Sequence, residues 1–167
     1  MGGAYFKQYA DWNVMCDVTA ADIMFRNLTN LECMGADVTH LLRAEKEIMD
    51  YVSSYNGDNS SFGYISELYN MWYNAGDKPH LVFHDALVVY YAMNPEICTA
   101  QRATVAVICD GAARGMTLNV DAYTQAYMNG WYSEQCLQNK AVVACNVDLD
   151  AFNSKIKLDI IKCANGY

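Results

Sequence analysis

Hydrophobic positions recur along this chain at intervals of three and four, the spacing that gathers them on one face of a helix. Between Asp37 and Val52, the residues Val38, Leu41, Leu42, Ile48, Met49 and Val52 make one apolar stripe, with Arg43, Glu45, Lys46 and Glu47 largely opposite. That stretch is the most amphipathic in the sequence and predicts a surface helix. Ahead of it, Thr19 and Asp22 have the form of a capping box. They open a predicted helix carrying Ile23, Met24, Leu28 and Leu31, which Gly35 would end.

Beyond the turn-rich run at 56–61, Ser60 or Ser61 is placed to cap a helix bearing Phe62, Ile65, Leu68, Tyr69 and Trp72, with Gly76 as its left-handed stop. Residues 79–93 are apolar almost all round, the pattern of a central helix surrounded by others. Asn94 and Pro95 close it and start another helix, which runs to about Asp110 before Gly111 and Gly115. A further helix begins at Asn119 or Asp121 and carries Ala122, Tyr123, Ala126, Tyr127 and Trp131. The last starts near Asp148, with Leu149, Phe152, Ile156, Ile160 and Cys163 on one stripe. Residues 141–145 fit a short strand or a helical turn, and period alone does not separate the two. The pattern as a whole predicts an all-α fold. It is a compact single-domain bundle of about six to eight helices, spanning 1–167 and built around the apolar helix at about 79–93.

Composition supports a packed core: 53% of the 167 residues are hydrophobic. The formal charge of −8 leaves no basic stripe with which to displace counterions from phosphates. Nucleic acid and anionic membranes are therefore not expected as partners. The longest apolar run, 81–93, is interrupted by His84 and Asp85, so no membrane span is expected. The first fifteen residues lack the basic-then-apolar order of a signal peptide.

Seven cysteines are present: Cys16, Cys33, Cys98, Cys109, Cys136, Cys145 and Cys163. No pair has the two-residue gap of a redox or zinc-ribbon motif. They are read as disulfide candidates, with one of the odd number left free or pairing with a second chain. That reading places the protein outside the cell with its leader removed; the alternative is an intracellular protein with reduced, buried thiols. Cys98 and Cys109 are expected on one face of one helix, roughly 16 Å apart along its axis and so unable to bond to each other. Cys136 and Cys145 enclose eight residues, as does the last cysteine pair of insect odorant-binding proteins. The closely spaced earlier pair of that family has no counterpart here, and membership is not assigned.

Chemistry-bearing patterns are few. His80 and His84, four apart on the expected central helix, can present two imidazoles to one metal, with Asp77, Asp85 or His40 as third ligand. The residue after the first histidine is Leu81, so the glutamate base of the zinc-protease motif is missing. Serine-hydrolase elbows and phosphate-binding glycine loops are also missing. Tyr69, Trp72, Tyr73, Phe83 and Tyr90 lie in one stretch and could line a pocket for an apolar or aromatic molecule. The reading that follows is a non-enzymatic binding protein for such a ligand or for a protein partner, with no cofactor. Its alternatives are a structural component of an extracellular material, assembled as a homo-oligomer through the odd cysteine, and, third, a metal-dependent enzyme using His80 and His84.

Overall fold

The structure, a computed structural model, describes residues 10–76, 80–121 and 140–167. It is mixed α/β, which overturns the expected all-α bundle. The chain forms two compact units, Met1–His40 with His84–Val147, and Leu41–Phe83 with Asp148–Tyr167.

The first unit opens with helices α1 (Trp12–Cys16) and α2 (Val18–Asn27). Each starts on an aspartate whose carboxylate satisfies an orphan amide of the first turn: Asp11 accepts from Asn13 N and Asp17 from Ala20 N. The expected capping box at Thr19 is therefore displaced, since the helix has already begun at Val18. Strand β1 (Glu32–Cys33) and the single-turn helix α3 (Ala36–Thr39) follow, so Gly35 starts a helix where it was expected to end one. Helix α6 (His84–Met93) returns the chain to this unit. It is not a central helix over 79–93. Leu87 and Tyr90 are buried, whereas Val88, Val89 and Met93 are exposed.

After a single 3-10 turn at Pro95–Ile97, the predicted helix to Asp110 is replaced by strands β2 (Cys98–Ala103) and β3 (Val105–Val107). Strand β4 (Thr117–Asn119) pairs antiparallel with β3. The loop between them needs a left-handed residue, and Gly115 supplies it at φ +87°. Strand β5 (Ala141–Val147) settles the ambiguity at 141–145. It runs through the middle of a three-stranded sheet, parallel to β1 and antiparallel to β2, with a register shift at Thr99/Ala100. Helix α2 packs on β3, and the core joins Val14, Val18 and Phe25 to Cys33, Ala103, Val105, Val107, Ala141 and Val143. Residues 122–139 lie outside the described residues, and with them the helix expected through Tyr123 and Trp131.

The second unit holds helices α4 (Lys46–Ser53), α5 (Ser60–Ala75) and α7 (Leu149–Ala164). The long amphipathic stretch at 38–52 is not one helix: α3 and α4 share it, separated by an extended crossing in which Arg43 bridges Val82. Leu81 O and Phe83 N complete that crossing, accepting from Ala44 N and donating to Leu42 O. Asn59, not Ser60 or Ser61, caps α5, and Gly76 after it is extended at φ −125°. Helix α7 starts on Asp148 as expected and buries Phe152, Ile156 and Ala164.

Candidate functional site

The first unit carries an open cleft of about 340 Å³ lined by Ala10, Asp11, Trp12, Asn13, Ala36, His40 and His84. Three chain segments meet there, each for a local reason. The turn entering α1 presents Asp11 and Asn13, because Asp11 Oδ1 accepts from Asn13 N at 2.8 Å and so fixes both residues. Asp11 is almost fully buried, while Trp12 stands out into solvent. Helix α3 contributes from its last turn: Thr39 is fully buried and His40 is the C-cap. Helix α6 brings His84 as its first residue.

His84 is the centre of this arrangement. Its Nδ1 is 2.8 Å from Thr39 Oγ1, and its ring meets His40 edge-on, with centroids 5.0 Å apart and planes at 77°. Burial first, and then the neighbouring imidazole of His40, push the His84 pKa below the usual histidine value; Asp85 and Asp11 oppose them. At neutral pH the cleft therefore holds a neutral imidazole beside a buried carboxylate and an amide. Such a set can donate or take one proton and hydrogen-bond a polyhydroxylated ligand.

The residues expected from sequence are distributed differently. His80 lies outside α6, so the helical i, i+4 presentation of His80 and His84 does not exist. Among the described residues no group of three or more His, Cys, Asp or Glu side chains is placed to hold a metal ion. Asp77 lies outside the described residues. Tyr69, Trp72 and Tyr73 are neighbours on α5; Tyr69 stacks on Tyr73 at 5.8 Å and is tilted against Trp72 at 6.0 Å. Tyr69, Tyr73 and His80 line a separate cavity of about 350 Å³ in the second unit. Phe83 packs against Phe152 at 6.1 Å in that unit's core, and Tyr90 is buried in the first unit.

Cys98 opens a strand and Cys109 follows the end of another, so no shared helical face exists. Cys16, Cys98, Cys109, Cys145 and Cys163 are free thiols, Cys33 belongs to the core, and Cys136 lies outside the described residues. Asp11, Asn13 and Thr39 were not singled out by sequence. Nothing local marks them, because their importance lies in the meeting of α1, α3 and α6.

Comparison with known proteins gives this cleft its context. Residues 1–154 match the family model described as inosine-uridine preferring nucleoside hydrolase. The chain is 29% identical over 126 residues to the inosine-uridine preferring nucleoside hydrolase of Leishmania major, covering 71% of this chain and 40% of that protein. It is 23% identical over 163 residues to a non-specific ribonucleoside hydrolase of Salmonella heidelberg, covering 98% and 49%. In structure it resembles the purine-preferring ribonucleoside hydrolase of Gardnerella vaginalis, with a TM-score of 0.73 and 23% identity, over 98% of this chain and 51% of that one. It also resembles an inosine-guanosine nucleoside hydrolase, with a TM-score of 0.77 and 20% identity, over 97% and 50%. The chain thus spans about half the length of the curated relatives it matches.

Proposed function

The chain belongs to the inosine-uridine preferring nucleoside hydrolase family, and from that premise we propose that its cleft takes part in hydrolysing the N-glycosidic bond of ribonucleosides. The reading replaces the non-enzymatic binding protein and the extracellular structural component expected from sequence. The match of the family model over residues 1–154 carries it, and the cleft supplies a chemical rationale.

In the reaction, water oxygen bonds to C1′ of the ribose and releases one proton to solvent as the C1′–N bond breaks. The electron pair of that bond goes to the base, which gains one proton, and the products are ribose and free base. His84 lines the cleft, and its imidazolium form, whose proton its environment holds loosely, is the group able to supply that proton and to regain one from solvent. Asp11 and Asn13 suit the sugar. The second carboxylate oxygen of Asp11 accepts from a ribose hydroxyl, and the Asn13 amide both donates and accepts. A buried carboxylate near the reacting carbon also favours the positive charge that develops there.

The test is incubation of the purified protein with inosine and uridine, following free base and reducing sugar. Equimolar release of the two from either nucleoside is expected. Their absence from both, in protein shown to be folded, would overturn the reading.

A further inference from the structure

The contact between Thr39 and His84 is more than packing. Thr39 is fully buried in the last turn of α3, and its hydroxyl lies 2.8 Å from one specific ring nitrogen, Nδ1. The other nitrogen, Nε2, is thereby left for a ligand in the cleft that His84 lines. We propose that Thr39 is the positioning residue for His84, its hydroxyl oxygen accepting from Nδ1–H so that proton exchange is confined to Nε2. The inference rests on the nucleoside hydrolase reading for its chemistry, but not for its geometry.

The physical case turns on what a hydroxyl can do in each charge state of the ring. The imidazolium carries protons on both nitrogens, so only an acceptor can sit at Nδ1. When Nε2 gives its proton to the departing base, the neutral ring keeps Nδ1–H, and the same hydroxyl oxygen still accepts. The hydrogen bond therefore survives the whole cycle without reorganisation, and the two states differ only at the nitrogen turned towards substrate. If the neutral ring instead carried its proton on Nε2, the nitrogen next protonated would be Nδ1, on the side away from the cleft. His40 restricts the ring further: its edge-on contact at 5.0 Å obstructs the flip that would exchange the two nitrogens. The Thr39 backbone is held by Thr39 N donating to Gly35 O at 3.0 Å.

The experiment reads the tautomer directly and then its consequence. In protein labelled with nitrogen-15 in the imidazoles, NMR above the His84 pKa should show Nδ1 protonated and Nε2 bare. Thr39→Val, close in volume but without the hydroxyl, should lose that preference, and Thr39→Ser should restore it. With inosine as substrate, Thr39→Val should lower kcat on the order of 10²-fold, the lower end of what a positioned acid contributes, with KM little changed. Thr39→Ser should recover most of the loss. A wild-type ring protonated on Nε2 overturns the proposal even if Thr39→Val does not fold, and so does a Thr39→Val ring with the wild-type tautomer. A tautomer that depends on Thr39 in protein that cleaves no nucleoside supports the positioning role while removing the hydrolase reading, so the two failures are distinguishable.

Discussion

The charge on His84 is set by neighbours from three segments: His40 at the end of α3, Asp11 before α1 and Asp85 beside it on α6. Burial and His40 lower its pKa, so His40→Ala should raise it towards the ordinary value of 6.5, as followed by NMR titration of the His84 ring. If His84 supplies the proton, the descending limb of kcat/KM against pH moves upward in the same variant. The lowered pKa also has a consequence for folding. Above about pH 6.5 both folded and unfolded rings are neutral and the group contributes no pH dependence. As the pH falls below that value the unfolded ring takes up its proton first, and stability declines until the folded pKa is passed. Replacing His84 with Asn should flatten that part of a denaturation-against-pH curve. Among the thiols, burial pushes the Cys98 pKa up to about 11 from 9.0, a roughly 100-fold smaller thiolate fraction at pH 8. Iodoacetamide should therefore label the exposed Cys16 and Cys163 well before Cys98, as peptide mapping would show. At this scale the sequence made His84 visible through its spacing from His80, but not its hydrogen-bond partner. Thr39 is 45 residues away in sequence, and no local pattern joins it to His84.

At the scale of elements, legibility followed the length of the periodic pattern. Helices α5 and α7 have sixteen residues each, long enough for their stripes to repeat, and both were placed to within a residue or two. The start of α7 near Asp148 was visible as well. Strands β2 and β3 were misread because Asn94 and Pro95 imitate a helix start, while the apolar residues beyond them are too few to establish a period. The sheet neighbour of β2, β5, lies some forty residues on, and pairing at that distance leaves no local trace. The stripe at 38–52 misled in another way: Leu42 is fully buried, yet in an extended crossing and not a helix. Two substitutions test these elements. Phe152→Ala removes a fully buried ring from α7 and should cost about 3–5 kcal/mol in denaturant unfolding. Gly115→Ala puts a side chain in the left-handed region, where the new Cβ also meets the Met15 side chain at 2.5 Å. It should cost about 1–2 kcal/mol, more if Met15 cannot move aside.

At the scale of the whole molecule, composition excluded more than it identified. The net charge of −8 argued against nucleic-acid polymers as partners, an argument that leaves the small, uncharged nucleosides untouched. Among the described residues no helix is long and apolar enough to cross a membrane. Of the seven cysteines, Cys33 belongs to the apolar core of the first unit. What sequence pattern could not supply was the cleft itself, because one carboxylate, one amide and two imidazoles brought together by three segments have no fixed spacing along the chain. Steady-state cleavage of inosine by wild-type protein beside Asp11→Asn and His84→Ala tests whether this cleft performs the proposed hydrolysis. Wild type should release base and ribose in equal amounts. Both variants, folded by circular dichroism, should lose kcat/KM on the order of 10²-fold or more. Variants that cleave inosine as fast as wild type would contradict it.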